Sequence, residues 1–285
     1  MTRPSHGLGA IYLRPRGCWL VKRTIGALIS LFILTQFVAI GIVGLITEPG
    51  TEPDEPRVPR VDYIDGGDTI ESSARIYVFL VAGVALLALA IKLKLGRVVF
   101  RHLESLIIFL TIFLLLISIY PPLSYLWTIP ALGVVLIKRI YPHWVLVTGL
   151  SVLLAAIVGA IMGVSFGVTP ILALMLFLSI YDIVAVKFSS HMGNVVKSVR
   201  GTKSAFLIEL PGLRAAVGIS DLAVPAMFVA ANFLWNSTGL AIAVAAGGAA
   251  GLAMAIFYSN RSGMVPALPF IFAGVLAAYF TVASI

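Results

Sequence analysis

The sequence predicts an all-α membrane protein, a single domain of nine transmembrane helices with the N-terminus cytoplasmic and the C-terminus external. Three observations carry that prediction. Of the 285 residues, 60% are hydrophobic and 11% charged, with a mean hydropathy of +1.06, where soluble chains average about 45–50% and about 25%. Twelve acidic residues cannot clothe a water-facing globule of 30.4 kDa, so most of the surface faces lipid. The apolar residues also fall into nine stretches near the roughly 20 residues needed to cross a bilayer core. Finally, Lys and Arg collect on alternate connections between those stretches.

The first span, 25–46, follows Lys22 and Arg23. It is too long for a signal-peptide core and lacks a small-residue cleavage site, so it is expected to stay in the mature chain. The loop 47–74 carries Glu48, Glu52, Asp54, Glu55, Asp62, Asp65, Asp68 and Glu71 together with Pro49, Pro53, Pro56 and Pro59, which reads as a polar, extended, poorly ordered external loop. A solvated acidic surface accounts for it without a calcium site. The second span is 76–91. The stretch 105–137 is nearly continuous and too long for one crossing; Tyr120-Pro121-Pro122 breaks it, so a tight helical hairpin of spans 105–120 and 122–137 is expected. Spans 145–164 and 168–187 follow. The cytoplasmic connection 188–213 alternates Val195, Val196 and Val199 with Lys197, Arg200 and Lys203, as on a helix lying at an anionic membrane surface. Residues 205–210 then read as a strand. Spans 215–234, 238–257 and 264–284 complete the chain.

Orientation follows from the positive-inside rule. Arg3, Arg14, Arg16, Lys22 and Arg23, then Lys92, Lys94, Arg97 and Arg101, then Lys138 and Arg139, then Lys187, Lys197, Arg200, Lys203 and Arg214, and lastly Arg261, all fall on one side. The other side has Arg57, Arg60 and Arg75. The formal charge of +8 is thus topology, and no nucleic-acid partner is implied. The lone Cys18 excludes an internal disulfide and a multi-cysteine metal site. His6, His102, His143 and His191 lie in tails or connections without paired ligand spacing, so no metal is implied. Gly159/Gly163 and Gly247/Gly251 each fit Gly-x-x-x-Gly, which predicts close packing within the chain, with a homo-oligomer as the minor alternative. Trp19, Trp144 and Trp235 flank spans as interfacial anchors. Asn236-Ser237-Thr238 matches a glycosylation sequon but sits against the membrane, and no modification is assigned to it. No internal repeat supports an inverted-repeat transporter.

Four acidic residues lie outside the external loop: Glu104, Asp182, Glu209 and Asp221. Glu104 at the cytoplasmic start of a span and Glu209 in a connection are both expected to reach water. Asp182 and Asp221 lie inside spans, where an ionisable group costs about 2.5–3.5 kcal/mol and is usually kept for a function. Asp182 precedes Lys187 by five residues, about 7.5 Å along a helix, and Asp221 follows Arg214 by seven, about 10 Å. Consecutive antiparallel helices pack side by side, so the two carboxyl groups are expected to meet within the membrane, nearer its cytoplasmic face. Such a pair shares one proton and titrates as a unit, supplying acid and base together. The same residues would serve a proton or cation conduit, or a helix-to-helix hydrogen bond; from the carboxylates alone, proteolysis and transport both stay open.

The surrounding residues separate these readings. Ser179-Ile180-Tyr181-Asp182-Ile183-Val184-Ala185-Val186 is similar to the Tyr-Asp motif in the sixth span of presenilins. Gly218-Ile219-Ser220-Asp221 resembles the Gly-x-Gly-Asp motif of presenilins and signal peptide peptidases; the following Leu222-Ala223-Val224-Pro225 is closer to signal peptide peptidase. Val265-Pro266-Ala267-Leu268-Pro269-Phe270 resembles the Pro-Ala-Leu motif that opens the ninth span. Ser220 stands where the family pattern has glycine. Serine is the next small residue and Gly218 persists, so the geometry is expected to survive with altered specificity or rate.

The resemblance implies a presenilin-like intramembrane aspartyl endopeptidase of the cell membrane, cutting transmembrane segments of helical membrane proteins, without metal or organic cofactor. Asp182 and Asp221 would be its catalytic pair. Tyr181 would orient the pair or line the cavity, Gly218 and Ser220 would permit close approach, and Pro266, Ala267 and Leu268 would shape the substrate cleft. The N-in, C-out orientation is presenilin-like, signal peptide peptidases being expected inverted. Pro266, five residues after Arg261 and so about 7.5 Å in, lies at the level of both aspartates. With Pro269 it disturbs regular helix and is expected to leave backbone free to hold an unwound substrate. Phe206-Leu207-Ile208 is expected to gate access or pair with that substrate, an inert connector being the plainer alternative. The rival function is the cation or proton conduit built on the same two aspartates.

Overall fold

The computed structural model describes residues 18–48, 58–59, 96–123, 125–188, 204–209, 216–262 and 265–284. Within them run helices α1 (Cys18–Ile46), α2 (Gly96–Ile119), α3 (Thr128–Ile140), α4 (Trp144–Ser165), α5 (Val168–Phe188), α6 (Ser220–Trp235), α7 (Thr238–Ser262) and α8 (Leu268–Ala283). Two short antiparallel ladders join β1 (Thr47–Glu48) to β2 (Val58–Pro59) and β3 (Leu207–Glu209) to β4 (Ala216–Gly218). The expected second span, 76–91, and the surface helix expected around 195–203 lie outside the described residues.

Among the described residues four helices are long and apolar enough to cross a bilayer: Arg23–Ile46, Arg101–Ile119, Trp144–Ser165 and Thr238–Ser259. Val168–Val184, Ser220–Trp235 and Leu268–Ala283 are shorter apolar helices. The expected hairpin between α2 and α3 is present, but its turn is longer than Tyr120-Pro121-Pro122 alone suggested. A 3-10 turn at Pro121–Leu123 precedes α3, which therefore runs 128–140 and not 122–137. The α2 helix also starts earlier than its apolar stretch, because Arg97, Arg101 and His102 extend it by two turns at little cost in propensity.

Lipid supplies no hydrophobic drive for helices to associate, so packing and small residues do that work. Helix α6 shows it most fully. Every residue from Leu222 to Asn232 is buried, as expected of a helix that is apolar all round, and α6 contacts α1, α4, α5, α7 and α8. The approach of α4 is close enough that a methyl group at Gly159 would stand 2.5 Å from Ala226 Cβ, and one at Gly163 2.5 Å from Ala230 Cβ. The α7–α8 seam is as close: Gly247 lies against the Gly274 carbonyl and Gly251 against the Phe270 carbonyl. Both Gly-x-x-x-Gly pairs are thus used inside the chain.

Three expectations are corrected. The seventh span does not start at 215: α6 begins at Ser220, and Ala216–Gly218 is strand, paired Leu207↔Gly218, Ile208↔Val217 and Glu209↔Ala216. The Ile219 N–H extends this pairing to the Phe206 carbonyl at 3.0 Å. Pairing satisfies backbone groups that an apolar run must otherwise satisfy by helix, and the strand read at 205–210 supplies the partner. The external loop has an ordered base, Thr47 opposite Pro59 and Glu48 opposite Val58, with the proline at an edge where it owes no donor. Glu104 does not reach water; its side chain is buried among α2, α3 and the segment before β3.

Candidate active site

Asp182 lies on α5 six residues before its end, and Asp221 is the second residue of α6. Both side chains are partly buried. They lie near enough for the charge of one to act on the other.

Each carboxylate meets backbone donors: those of Asp182 lie at the start of α8, where the first N–H groups lack intrahelical partners, and that of Asp221 is the last residue of β4. Asp182 Oδ2 accepts from the Leu268 N–H at 3.3 Å, and the Ala267 N–H also faces it. These two donors sit between Pro266 and Pro269, neither of which has an N–H to offer. The expectation that backbone near the prolines would be left for substrate is therefore qualified: the Ala267 and Leu268 donors point to Asp182. Asp221, in the first turn of α6, is met by the backbone N–H of Gly218. A methyl group on Gly218 would stand 3.5 Å from Asp221 Oδ2 and 3.3 Å from Ser220 Oγ, so a larger side chain there would press on the carboxylate.

Of the residues singled out in the sequence, the structure brings together Asp182, Asp221, Gly218, Ala267 and Leu268, with Pro266 partly buried beside them. Ser220 is exposed, its Oγ over Gly218. Tyr181 is 42% exposed and belongs to an outward stripe with Leu176, Phe177, Ile180 and Val184, so it borders the pair from outside. Among the described residues no group of three His, Cys, Asp or Glu side chains could hold a metal ion.

Sequence reasoning passed over Gln36. It lies on α1, 1% exposed, and its Nε2 donates to the Leu222 carbonyl at 3.4 Å, one residue from Asp221. Its Oε1 has no partner among the described residues. Nearby, Pro225 has no N–H to give the Asp221 carbonyl, the bond a regular helix would make there. A lone glutamine in the first span was the available signal, since buried polar groups in membrane helices are costly.

The family described as signal-peptide peptidase, presenilin aspartyl protease matches residues 29–285. The fold is similar to that of a presenilin family intramembrane aspartate protease solved in two crystal forms. In space group C222 the TM-score is 0.67 at 18% identity, covering 91% of this chain and 98% of that one. In space group P2 it is 0.63 at 19% identity, covering 90% and 96%. A comparison with curated proteins finds no match.

Proposed function

We propose that this chain, which belongs to the family of signal-peptide peptidase and presenilin aspartyl proteases and is thus a membrane-embedded aspartic endopeptidase, cuts peptide bonds within transmembrane segments of helical membrane proteins, using Asp182 and Asp221 as its acid and base. The observation that carries the reading is the meeting of three separate segments in one layer: α5 brings Asp182, the β4–α6 junction brings Asp221, and the start of α8 brings the backbone that faces Asp182.

In the reaction the ionised carboxyl takes a proton from water, whose oxygen bonds to the scissile carbonyl carbon. The protonated carboxyl hydrogen-bonds the carbonyl oxygen as charge gathers there. Collapse of the tetrahedral adduct breaks the C–N bond, the leaving nitrogen takes the proton of the carboxyl that began protonated, and the pair returns with its roles exchanged. No metal or organic cofactor enters this scheme. Gly218 keeps room at Asp221, while Pro266, Ala267 and Leu268 shape the cleft.

A substrate helix must unwind before its amides are open to attack, and the freed groups need new partners. The β3–β4 ladder beside Asp221 supports Phe206-Leu207-Ile208 as the place where an unwound segment adds as a strand. The apolar stripe that includes Tyr181 gives such a helix a face to approach along. The reading includes nine spans in a cell membrane, N-terminus cytoplasmic and C-terminus external. Since both Gly-x-x-x-Gly pairs are occupied within the chain, a homo-oligomer would use another surface.

The test is cleavage of a helical test substrate by the full chain reconstituted in lipid vesicles. Asp182→Asn and Asp221→Asn are each expected to reduce cleavage to background, and a hydroxyl-bearing peptide isostere to inhibit the unaltered enzyme. Cleavage that survives either substitution would refute the reading; ion flux that needs both aspartates, without cleavage, would establish the conduit in its place.

A further inference from the structure

Glu104 lies on α2 with 4% of its surface exposed. A buried carboxylate is expensive unless paired and hydrogen-bonded, and this one is both. Its Oε2 is 2.7 Å from Lys138 Nζ in the last turn of α3, a contact that closes the α2–α3 hairpin and would suffice for that purpose. Its Oε1 does something else. It accepts from Ser204 Oγ at 3.0 Å and from the Ala205 N–H, about a hundred residues further along the chain.

From there the contacts run unbroken to the catalytic pair. The Ala205 carbonyl accepts from Ser151 Oγ of α4 at 2.6 Å, so both sides of that residue are tied to helices of the bundle. Ser204 Oγ accepts from the Phe206 N–H at 3.2 Å, and the Ser204 carbonyl from the Leu207 N–H at 3.3 Å. Leu207 opens β3, β3 pairs with β4, and the Phe206 carbonyl takes the Ile219 N–H two residues before Asp221. Gly218, whose N–H meets the Asp221 carboxylate, pairs directly with Leu207.

We infer that Glu104 is a positioning residue for proteolysis: it fixes the 204–206 turn to the bundle and so sets, through the β3–β4 ladder, the placement of Asp221 and of any strand that a substrate adds there. The inference rests on the protease reading above. A buried charge suits this work because its acceptor is directional and its loss breaks the ion pair with Lys138 as well as the turn's hydrogen bonds, so the turn has one low-energy position.

The experiment compares Glu104→Ala, Glu104→Gln and Ile112→Ala in the full reconstituted chain, measuring kcat, KM, the bonds cut by mass spectrometry, and amide exchange over 204–218. Ile112 is a buried core residue two turns along the same helix, so its truncation serves as the control for stability loss alone. Glu104→Ala is expected to lower kcat about 10²-fold, the cost of a misplacement of about 1 Å, to scatter the cleavage positions and to speed exchange over 204–218. KM should hold. Glu104→Gln, which keeps an acceptor for Ala205, should restore most of the rate and the original cleavage positions. Ile112→Ala should lower the melting temperature and leave the cleavage positions alone. Glu104→Ala cutting the same bonds at the unaltered rate would overturn the inference and leave the protease reading intact, as would equal scatter from Ile112→Ala. An unaltered chain that cleaves nothing would end both.

Discussion

Helix α6, which carries Asp221, is buried continuously from Leu222 to Asn232, whereas α5, which carries Asp182, leaves Leu176, Phe177, Ile180, Tyr181 and Val184 exposed along one side. Close packing against α4 holds the first. The second takes part of its placement from two N–H groups at the start of α8. The difference assigns the two aspartates different mechanical settings: one is fixed by packing, and the other is placed by directional contacts on an exposed side of the bundle. An enzyme acting on a membrane segment needs both, a reference point that does not move and an open flank.

The largest effect should come from breaking the packed side. A side chain at Gly163 meets not only Ala230 Cβ at 2.5 Å but also the Met227 carbonyl oxygen at 2.7 Å, and backbone cannot step aside as a flexible side chain would. Gly163→Val should cost about 3 kcal/mol, at the upper end of overpacking, read as a lowered melting temperature in detergent. The same helix provides the contrast. Gly149 has nothing within 4 Å of a Cβ, so Gly149→Ala should stabilise by about 0.5–1 kcal/mol through reduced backbone entropy in the unfolded chain. Equal signs for the two substitutions would show that α4 is not notched against α6. The smallest effect belongs to the open side: Tyr181→Phe should change stability by less than about 0.5 kcal/mol and cleavage little, because the ring lies on the exposed stripe. A large loss of cleavage there would bring the phenol hydroxyl into the chemistry and revise the picture of an open flank.

What could be read from sequence follows the same division. Asp182 and Asp221 were legible because charge inside a span is expensive whatever the fold, and depth could be counted from the flanking Lys187 and Arg214. The helices with strong apolar stretches were legible for the same reason; 144–165 lies within one residue of expectation at each end. The start of α6 was not, because Ala215-Ala216-Val217 is apolar in helix and strand alike, and only pairing with 207–209 decides between them. Glu104 misled because a carboxylate at the end of a span ordinarily reaches water. Its burial depends on Lys138 and on a turn about a hundred residues away, and no local pattern announces either. The Pro-Ala-Leu segment was expected at the level of the aspartates, and Leu268 does meet Asp182, but the direction of its amides was not foreseen, since periodicity locates a residue without aiming its backbone.

The glycine seam between α7 and α8 has a consequence for motion. With Gly247 notched into Gly274 and Gly251 into Phe270, the two helices cannot slide or spread without losing contact along much of their shared length. The amides opposite Asp182 are then mounted on a double-thickness beam, so that drawing them away from that carboxylate means swinging the whole hairpin, a step that a single loosened turn cannot accomplish.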